Sequence, residues 1–384
     1  MEKTEISLLF VLDKYTIGDR DMSGLGIRYL EMCKALTEYQ CTILVARNTC
    51  SRELLVYLKT FPNIIIKQFN NSCIYKEIDN HKIVFFTDMV EKDFLLYAKS
   101  KGKIIISETT VPIEHMDYPE IYRSSSPIRG HKELIANFKL QLKVSDYLIS
   151  RSQIEHSILI SNLILLEEFT IENYFTDKHL SKLINIPIGF SSFFLNEQEK
   201  FHDKESLKSL NICWNGGVWD YMNFDWVETF LSKKKHNLYF IHYDVNSKFK
   251  AINLLKRQTS SRLHFYNLSF QEKQSFMNDM DLIICFGKDS LENKTCLRLR
   301  IRDCLLYNIP IIVDDNGFTA DFVKIHGIGR VVKNDEELFD VLEELQNEHN
   351  YSSIVANIKK IKSKFCYEKT MKVFKEKVLK INGE

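Results

Sequence analysis

Short runs of apolar, mostly β-branched residues alternate with helical stretches along nearly the whole chain, and no other feature narrows its fold as much. In the first half, residues 7–12, 41–46, 64–67, 83–87, 103–107 and 147–150 read as strands, with helices at 27–36 and 53–59. Strands joined by helical crossovers predict a parallel sheet covered on both faces. The rhythm pauses near Pro187, and the polar stretch 196–209 reads as a linker. It then restarts, with strands predicted at 210–214, 238–242, 263–266, 282–286 and 310–313. A chain of 384 residues makes two domains of ordinary size. The expected architecture is α/β: two Rossmann-like doubly wound domains, 1–195 and 210–364, facing each other across a cleft. Ligands in such sheets bind at the C-terminal ends of the strands.

Arg298-Leu-Arg-Ile-Arg-Asp303 opens a predicted helix that runs to Asn308. A helix start already offers free N–H groups and partial positive charge. Arg298, Arg300 and Arg302 turn it into an anion site, most simply for a phosphate or diphosphate. Arg298 and Arg302 share a helix face while Arg300 points elsewhere, so at least one of the three is expected to be structural. Asp303 suits sugar hydroxyls, and phosphate plus ribose suggests a nucleotide. Asn215-Gly216-Gly217 follows the first strand of the second half and frees backbone N–H groups for a diphosphate, with a tight turn as the plainer reading. Gly24 and Gly26 precede Arg28 at the entry to the first helix. Tyr29 stands where the dinucleotide fingerprint needs its third glycine, which disfavours a nicotinamide dehydrogenase. Glu108 follows a predicted strand and is placed to orient or deprotonate an acceptor hydroxyl, or to cap a turn. His115 lies close behind it as a second candidate. Arg151 and Gln153 follow the strand 147–150, beside Ser152 and Glu155, whose spacing is a capping box. Glu292 suits a donor sugar, or an ion pair with Lys288, Lys294 or one of the arginines.

Net charge is +1, which argues against a general nucleic-acid binder. Nine cysteines without a CxxC pair read as free thiols in a reducing, cytoplasmic setting. The N-terminus lacks a signal-peptide layout, and no apolar run approaches the roughly 18 residues of a membrane span. The tail 356–384 holds nine lysines against three glutamates, with Tyr367, Met371, Phe374, Val378 and Ile381 on one helical face. A docked helix with a solvated lysine face is expected; the same lysines suit peripheral contact with an anionic membrane surface.

Several blocks taken together resemble the group 1, family 4 glycosyltransferases of bacterial surface polysaccharide assembly. They are Ser23-Gly-Leu-Gly-Ile-Arg28, Ser145 through Gln153, Ile186-Pro-Ile-Gly189, Trp214-Asn-Gly-Gly-Val-Trp219, Glu292 through Arg300 with Asp303 and Pro310, Gly327 through Val332, and Phe365-Cys-Tyr-Glu368. The resemblance implies the GT-B fold, with a final helix, 365–384, crossing back to the first domain. It implies a nucleotide-sugar donor held mainly by the second half, a saccharide or lipid-linked acceptor held mainly by the first, and transfer with retention. On this reading Gly216, Gly217, Arg298 and Arg300 hold the diphosphate, Asp303 the ribose, and Gly24, Gly26 and Arg28 close over the phosphates. Glu108, Glu292 and Arg300 are the catalytic candidates, and Arg151, Gln153 and His115 lie on the acceptor side. The chain departs from the family at three places: Thr295 stands at the first acid of its Glu-x7-Glu pair, Gly217 and Met222 or Asn223 replace an arginine and a lysine, and Glu108 replaces a histidine. A nucleotide-sugar epimerase and a catalytically inactive partner subunit therefore stay open. No cofactor or metal is expected beyond the donor itself, whose base is open, because arginines can neutralise the diphosphate. Transfer activity should survive EDTA; activity lost to EDTA and restored by Mg²⁺ or Mn²⁺ contradicts this.

Overall fold

The computed structural model describes residues 6–109, 117–177, 180–195, 208–218, 222–241, 255, 257–258 and 260–379. The chain divides into two units, one of Met1–Gly18, Leu25–Pro187 and Tyr367–Glu384, the other of Asp19–Gly24 and Ile188–Cys366. The first unit is built on β1 (Ser7–Gly18), β2 (Gln40–Thr49), β3 (Ile64–Gln68), β4 (Ile83–Thr87), β5 (Ile104–Glu108), β6 (Tyr147–Ser150) and β7 (Leu183–Asn185). These strands are parallel, in the order β3-β2-β1-β4-β5-β6-β7. The second unit holds β8 (Asn211–Asn215), β9 (Asn237–Ile241), β10 (Leu263–Tyr266), β11 (Leu282–Cys285), β12 (Ile311–Asp314) and β13 (Gly329–Val332). They too are parallel, in the order β10-β9-β8-β11-β12-β13. Strand order reverses between β1 and β4 and between β8 and β11. At such a reversal the connections leave in opposite directions and open a crevice at the strand C-termini.

Both sheets are apolar on both faces, as helical cover on each side requires. Leu8 to Leu12 of β1 and Ile311 to Val313 of β12 are buried. Two short strands escape the sequence reading: β7 has three residues and β13 four, too few to show a period. β1 also runs beyond residue 12, where a loop was expected. After a register shift, Thr16 to Gly18 pair with Arg47 to Thr49, so β2 satisfies the backbone of a polar segment. The apolar stripe of the tail is buried as predicted through Tyr367, Met371, Phe374 and Val378, while Ile381 lies outside the described residues. Within the first unit, the Phe374 ring centroid is 6.4 Å from that of Phe85, and Lys375 donates to the Ala35 carbonyl at 2.9 Å.

The strand that leads to the Gly216 turn is anchored at its start by a neutral histidine. The backbone N–H of Leu210 donates to Nδ1 of buried His236 at 3.1 Å. That bond needs a ring lone pair. Burial, then the charges of Lys235 and Arg262, push the imidazolium down to about 4. An unfolded histidine titrates near about 6.5, so above that pH neither state is protonated and the site contributes no pH dependence. Below it the unfolded chain binds the proton first, and stability falls until the folded ring also titrates. Thermal unfolding in pH steps from 7 to 4 should show this loss, and His236→Asn should flatten it; equal slopes for both proteins contradict the assignment.

Candidate functional site

The three clustered arginines have three different environments. Arg298 is 7% exposed and fully engaged: Nε donates to Asn293 Oδ1 at 3.2 Å, and Nη1 donates to the Cys285 carbonyl at 2.8 Å and to Asp314 Oδ1 at 2.5 Å. Burial opposes its charge, and Cys285 and Asp314 more than restore it. This clamp fixes the short helix Leu291–Thr295, with Glu292 on its first turn, against the ends of β11 and β12. Thr295 bonds back to the Leu291 carbonyl at 3.0 Å. Arg302 pairs with Asp303 at 2.8 Å, and Asp303 also accepts from Asn215 Nδ2 at 2.5 Å. Asp303 and Asn215 are buried, and they tie the helix Arg300–Tyr307 to the C-terminal end of β8.

Arg300 is different. Its guanidinium carbon lies 4.1 Å from the centroid of the buried Trp214 ring, and Nη2 donates to the Gly217 carbonyl at 3.1 Å. Nη1 is 3.7 Å from Cys285 Sγ, and Nε is buried without a hydrogen-bond partner among the described residues. No carboxylate among the described residues pairs with it. Trp214 is itself held by its Nε1–H, which donates to the same Gly217 carbonyl at 3.1 Å, and by the Phe224 ring at 4.6 Å. Gly216 has φ +111°, open to glycine and rarely to other residues, and a Cβ there would stand 3.5 Å from Arg300 Nη2. The result is a buried cation without a carboxylate partner among the described residues, beside a glycine turn, at the helix start and at the point where strand order reverses. Gly24 also belongs to this unit, where a Cβ would meet a Leu299 methyl at 2.8 Å.

Arg28 lies in the first unit and is completely buried. Its Nε is 3.0 Å from Glu108 Oε1, and Nη2 donates to Glu108 Oε2 at 3.1 Å and to the Ile186 carbonyl at 2.7 Å. Nη1 donates to the Pro187 carbonyl at 3.0 Å and to the Tyr367 hydroxyl at 2.9 Å. Burial opposes this charge, and Glu108, Tyr367 and Tyr29 outweigh it and raise the guanidinium above its ordinary value. Gly26, two residues earlier, is buried in the same helix. Glu108, 3% exposed, is thus the partner of Arg28, with Arg151 at 4.0 Å. Arg151 pairs with Glu155 at 2.7 Å, Ser152 caps the helix by accepting from Glu155 N at 3.0 Å, and Gln153 is exposed on its first turn. His115 lies outside the described residues.

Two groups were missed in the sequence. Tyr15, past the shift in β1, donates to Asp88 Oδ2 at 2.7 Å, and burial pushes nearby Asp13 up to about 6. Both lie at the β1/β4 reversal, in the segment read as loop. Burial lowers the proton affinity of Lys273, and the charge of Asp303 opposes this. Its signal was present: Phe270, Lys273 and Met277 follow i, i+3, i+7 spacing, so a lysine occupies the apolar stripe of its helix.

Residues 294–372 match the family model described as the glucosyltransferase 3-like, C-terminal domain. No curated protein matches the chain significantly in sequence. In structure the chain is similar to Anabaena HepE in complex with UDP-glucose, with a TM-score of 0.67 over 99% of this chain and 100% of that one at 11% identity. It is similar to a glycosyltransferase from Rickettsia africae ESF-5, at 0.57 over 98% and 99% with 14% identity. It is also similar to a Listeria monocytogenes protein provisionally assigned as a UDP-N-acetylglucosamine 2-epimerase, at 0.52 over 92% and 91% with 13% identity. The fold is GT-B, as the motifs implied.

The Arg28 network generates a stability test at Glu108. Glu108→Gln keeps the shape and leaves a buried guanidinium without its carboxylate, which costs on the order of 3–5 kcal/mol. Urea unfolding should register that loss. A variant of unchanged stability and much reduced turnover would instead give Glu108 a direct part in the chemistry.

Proposed function

We propose that the chain is a glycosyltransferase that binds the diphosphate of a nucleotide-sugar donor at Arg300. One observation carries this: a buried arginine stacked on Trp214 that lacks a carboxylate partner among the described residues and lies against Gly216-Gly217. The GT-B fold and the match to a glucosyltransferase 3-like domain support the reaction class. In transfer, the bond from the anomeric carbon to the phosphate oxygen breaks and a bond to the acceptor oxygen forms. The nucleoside diphosphate leaves with the electron pair, and a positive charge already in position meets the growing negative charge without reorganisation.

Arg298 and Asp303 support this site by fixing the two helices around it, and Glu292 faces the donor sugar. The acceptor, a saccharide or lipid-linked glycan, binds the first unit, with Arg151 and Gln153 at the end of β6. We further propose membership of family 4, a role in surface glycoconjugate synthesis, retention of configuration, independence of metal and cofactor, and a cytoplasmic location. No described helix is long and apolar enough to cross a membrane. The lysine face of the terminal helix suits peripheral contact with an anionic surface.

Incubation with UDP-, GDP-, ADP- and TDP-sugars tests the class. Slow hydrolysis of one donor is expected. Isomerised free nucleotide sugar would make the protein an epimerase, and no binding would favour an inactive partner subunit. Arg300→Ala should weaken the nucleoside diphosphate by at least about 1.5 kcal/mol, the low end for a charged hydrogen bond. Unchanged affinity in calorimetry removes Arg300 from the site.

A further inference from the structure

We propose that Tyr266 is a further binding residue of the Arg300 site, and that its ring stacks on the base of the nucleoside diphosphate. This rests on the donor-site reading above and gives the same ligand a second anchor. Tyr266 is the last residue of β10, the edge strand of the second sheet. It is 38% exposed, and among the described residues no other aromatic side chain on a strand is exposed. Strand register puts it in line with the donor site. Asn215 pairs with Ile241, and Ile241 with Tyr266, so the three lie side by side at the C-terminal ends of β8, β9 and β10. Adjacent strands are about 4.8 Å apart, which places the Tyr266 backbone roughly 10 Å from that of Asn215. Asn215 is the residue that ties this row to Asp303, and Gly216 follows it.

The ring is held without being covered. The Phe276 ring packs against it at 5.0 Å, and the Tyr239 ring lies near-parallel to it at 6.2 Å and 24°. Tyr239 is in turn stacked on His264 at 4.7 Å and 18°. The inner rings fix Tyr266 in place, so stacking on it costs little ordering. The segment Asp19–Gly24, which belongs to this unit, borders the same end of the sheet. The Phe270 N–H donates to the Asp19 carbonyl at 2.8 Å, and Arg20 Nη1 donates to the Asn267 carbonyl at 2.6 Å, one residue beyond Tyr266. At its other end a Cβ on Gly24 would meet Leu299, the residue before Arg300, at 2.8 Å. Five residue steps span at most about 18 Å, so the loop after Tyr266 and the start of the Arg300 helix are held within that reach. A nucleoside diphosphate joins two such points, with its diphosphate at one and, a ribose further on, its base at the other. Every base has a π-face, so a fixed aromatic ring anchors the nucleoside end of the ligand.

The probes are inorganic diphosphate and whichever of UDP, GDP, ADP and TDP binds wild type most tightly, compared by calorimetry on the full chain. Tyr266→Ala should weaken the nucleoside diphosphate about tenfold, as loss of one base–aromatic stack does, and leave inorganic diphosphate, which has no base, within about twofold of wild type. Tyr266→Phe keeps the ring and should restore wild-type affinity. Unchanged nucleoside diphosphate affinity in Tyr266→Ala overturns the proposal. So does an equal loss for both ligands, which would make the ring structural. Either result leaves the Arg300 site standing, because Arg300→Ala should weaken both ligands. Should Tyr266→Ala not fold, Tyr266→Leu, which keeps apolar packing on Phe276 and lacks the ring, decides by the same two affinities. Failure of all four nucleoside diphosphates to bind wild type removes the donor reading, and this proposal with it.

Discussion

A guanidinium taken out of water must be compensated by its surroundings, and much of this structure is arranged around how that is done. Arg28, Arg298 and Arg302 each face a carboxylate: Glu108, Asp314 and Asp303. Arg300 is buried to the same degree as Arg298 and faces an indole ring and one carbonyl. A desolvated cation–π contact is worth about 2 kcal/mol, which offsets part of the burial and leaves the charge able to answer an anion. The three paired arginines hold the framework, and the one with only weak compensation among the described residues is the one proposed to meet the donor.

The position of that charge follows from strand order. In the second unit the connections on either side of β8 and β11 run in opposite directions, so the C-terminal ends of these two strands are left uncovered by a crossover. The Gly216 turn leaves β8 there, and the helix Arg300–Tyr307 begins there, its first N–H groups, of Ile301 and Arg302, donating to the Arg298 and Leu299 carbonyls at 3.0 and 2.9 Å. Asn215 and Asp303 join the two, so strand end, turn and helix start move as one piece. Arg298 does the same for β11 and β12 through Cys285 and Asp314. Preorganisation of this kind is what lets a charge stabilise a leaving group without first rearranging.

In the first unit, Arg28 gathers distant parts of the chain. One side chain reaches Glu108 at the end of β5, the carbonyls of Ile186 and Pro187 just beyond β7, and the hydroxyl of Tyr367 in the terminal segment. The last helical turns belong to this unit because their apolar stripe is buried in it and because Tyr367 caps the arginine network. A bidentate, fully buried pair demands fixed geometry, so Arg28 and Glu108 set the register of these segments more than they add net stability.

By itself the sequence determined the alternation of strands and helices, hence two parallel sheets, because apolar runs with helical crossovers have few other ways to be covered. It also singled out Arg298 to Asp303 as the candidate anion segment, since arginines at a helix start carry a local physical signal. It determined the buried stripe of the terminal helix by its spacing. It could not say which arginine was compensated, because Asp314 lies 14 residues beyond Arg300 and meets Arg298 only through the pairing of β11 with β12. Nor could it pair Arg28 with Glu108, 80 residues apart, or extend β1 to Gly18, which depends on the partner strand β2. Lys273 was visible as a charge in an apolar stripe, but its neighbours were not. Local spacing fixes faces and periods, whereas the partner of a buried charge is chosen by long-range strand pairing, and that choice was made only in the tertiary structure.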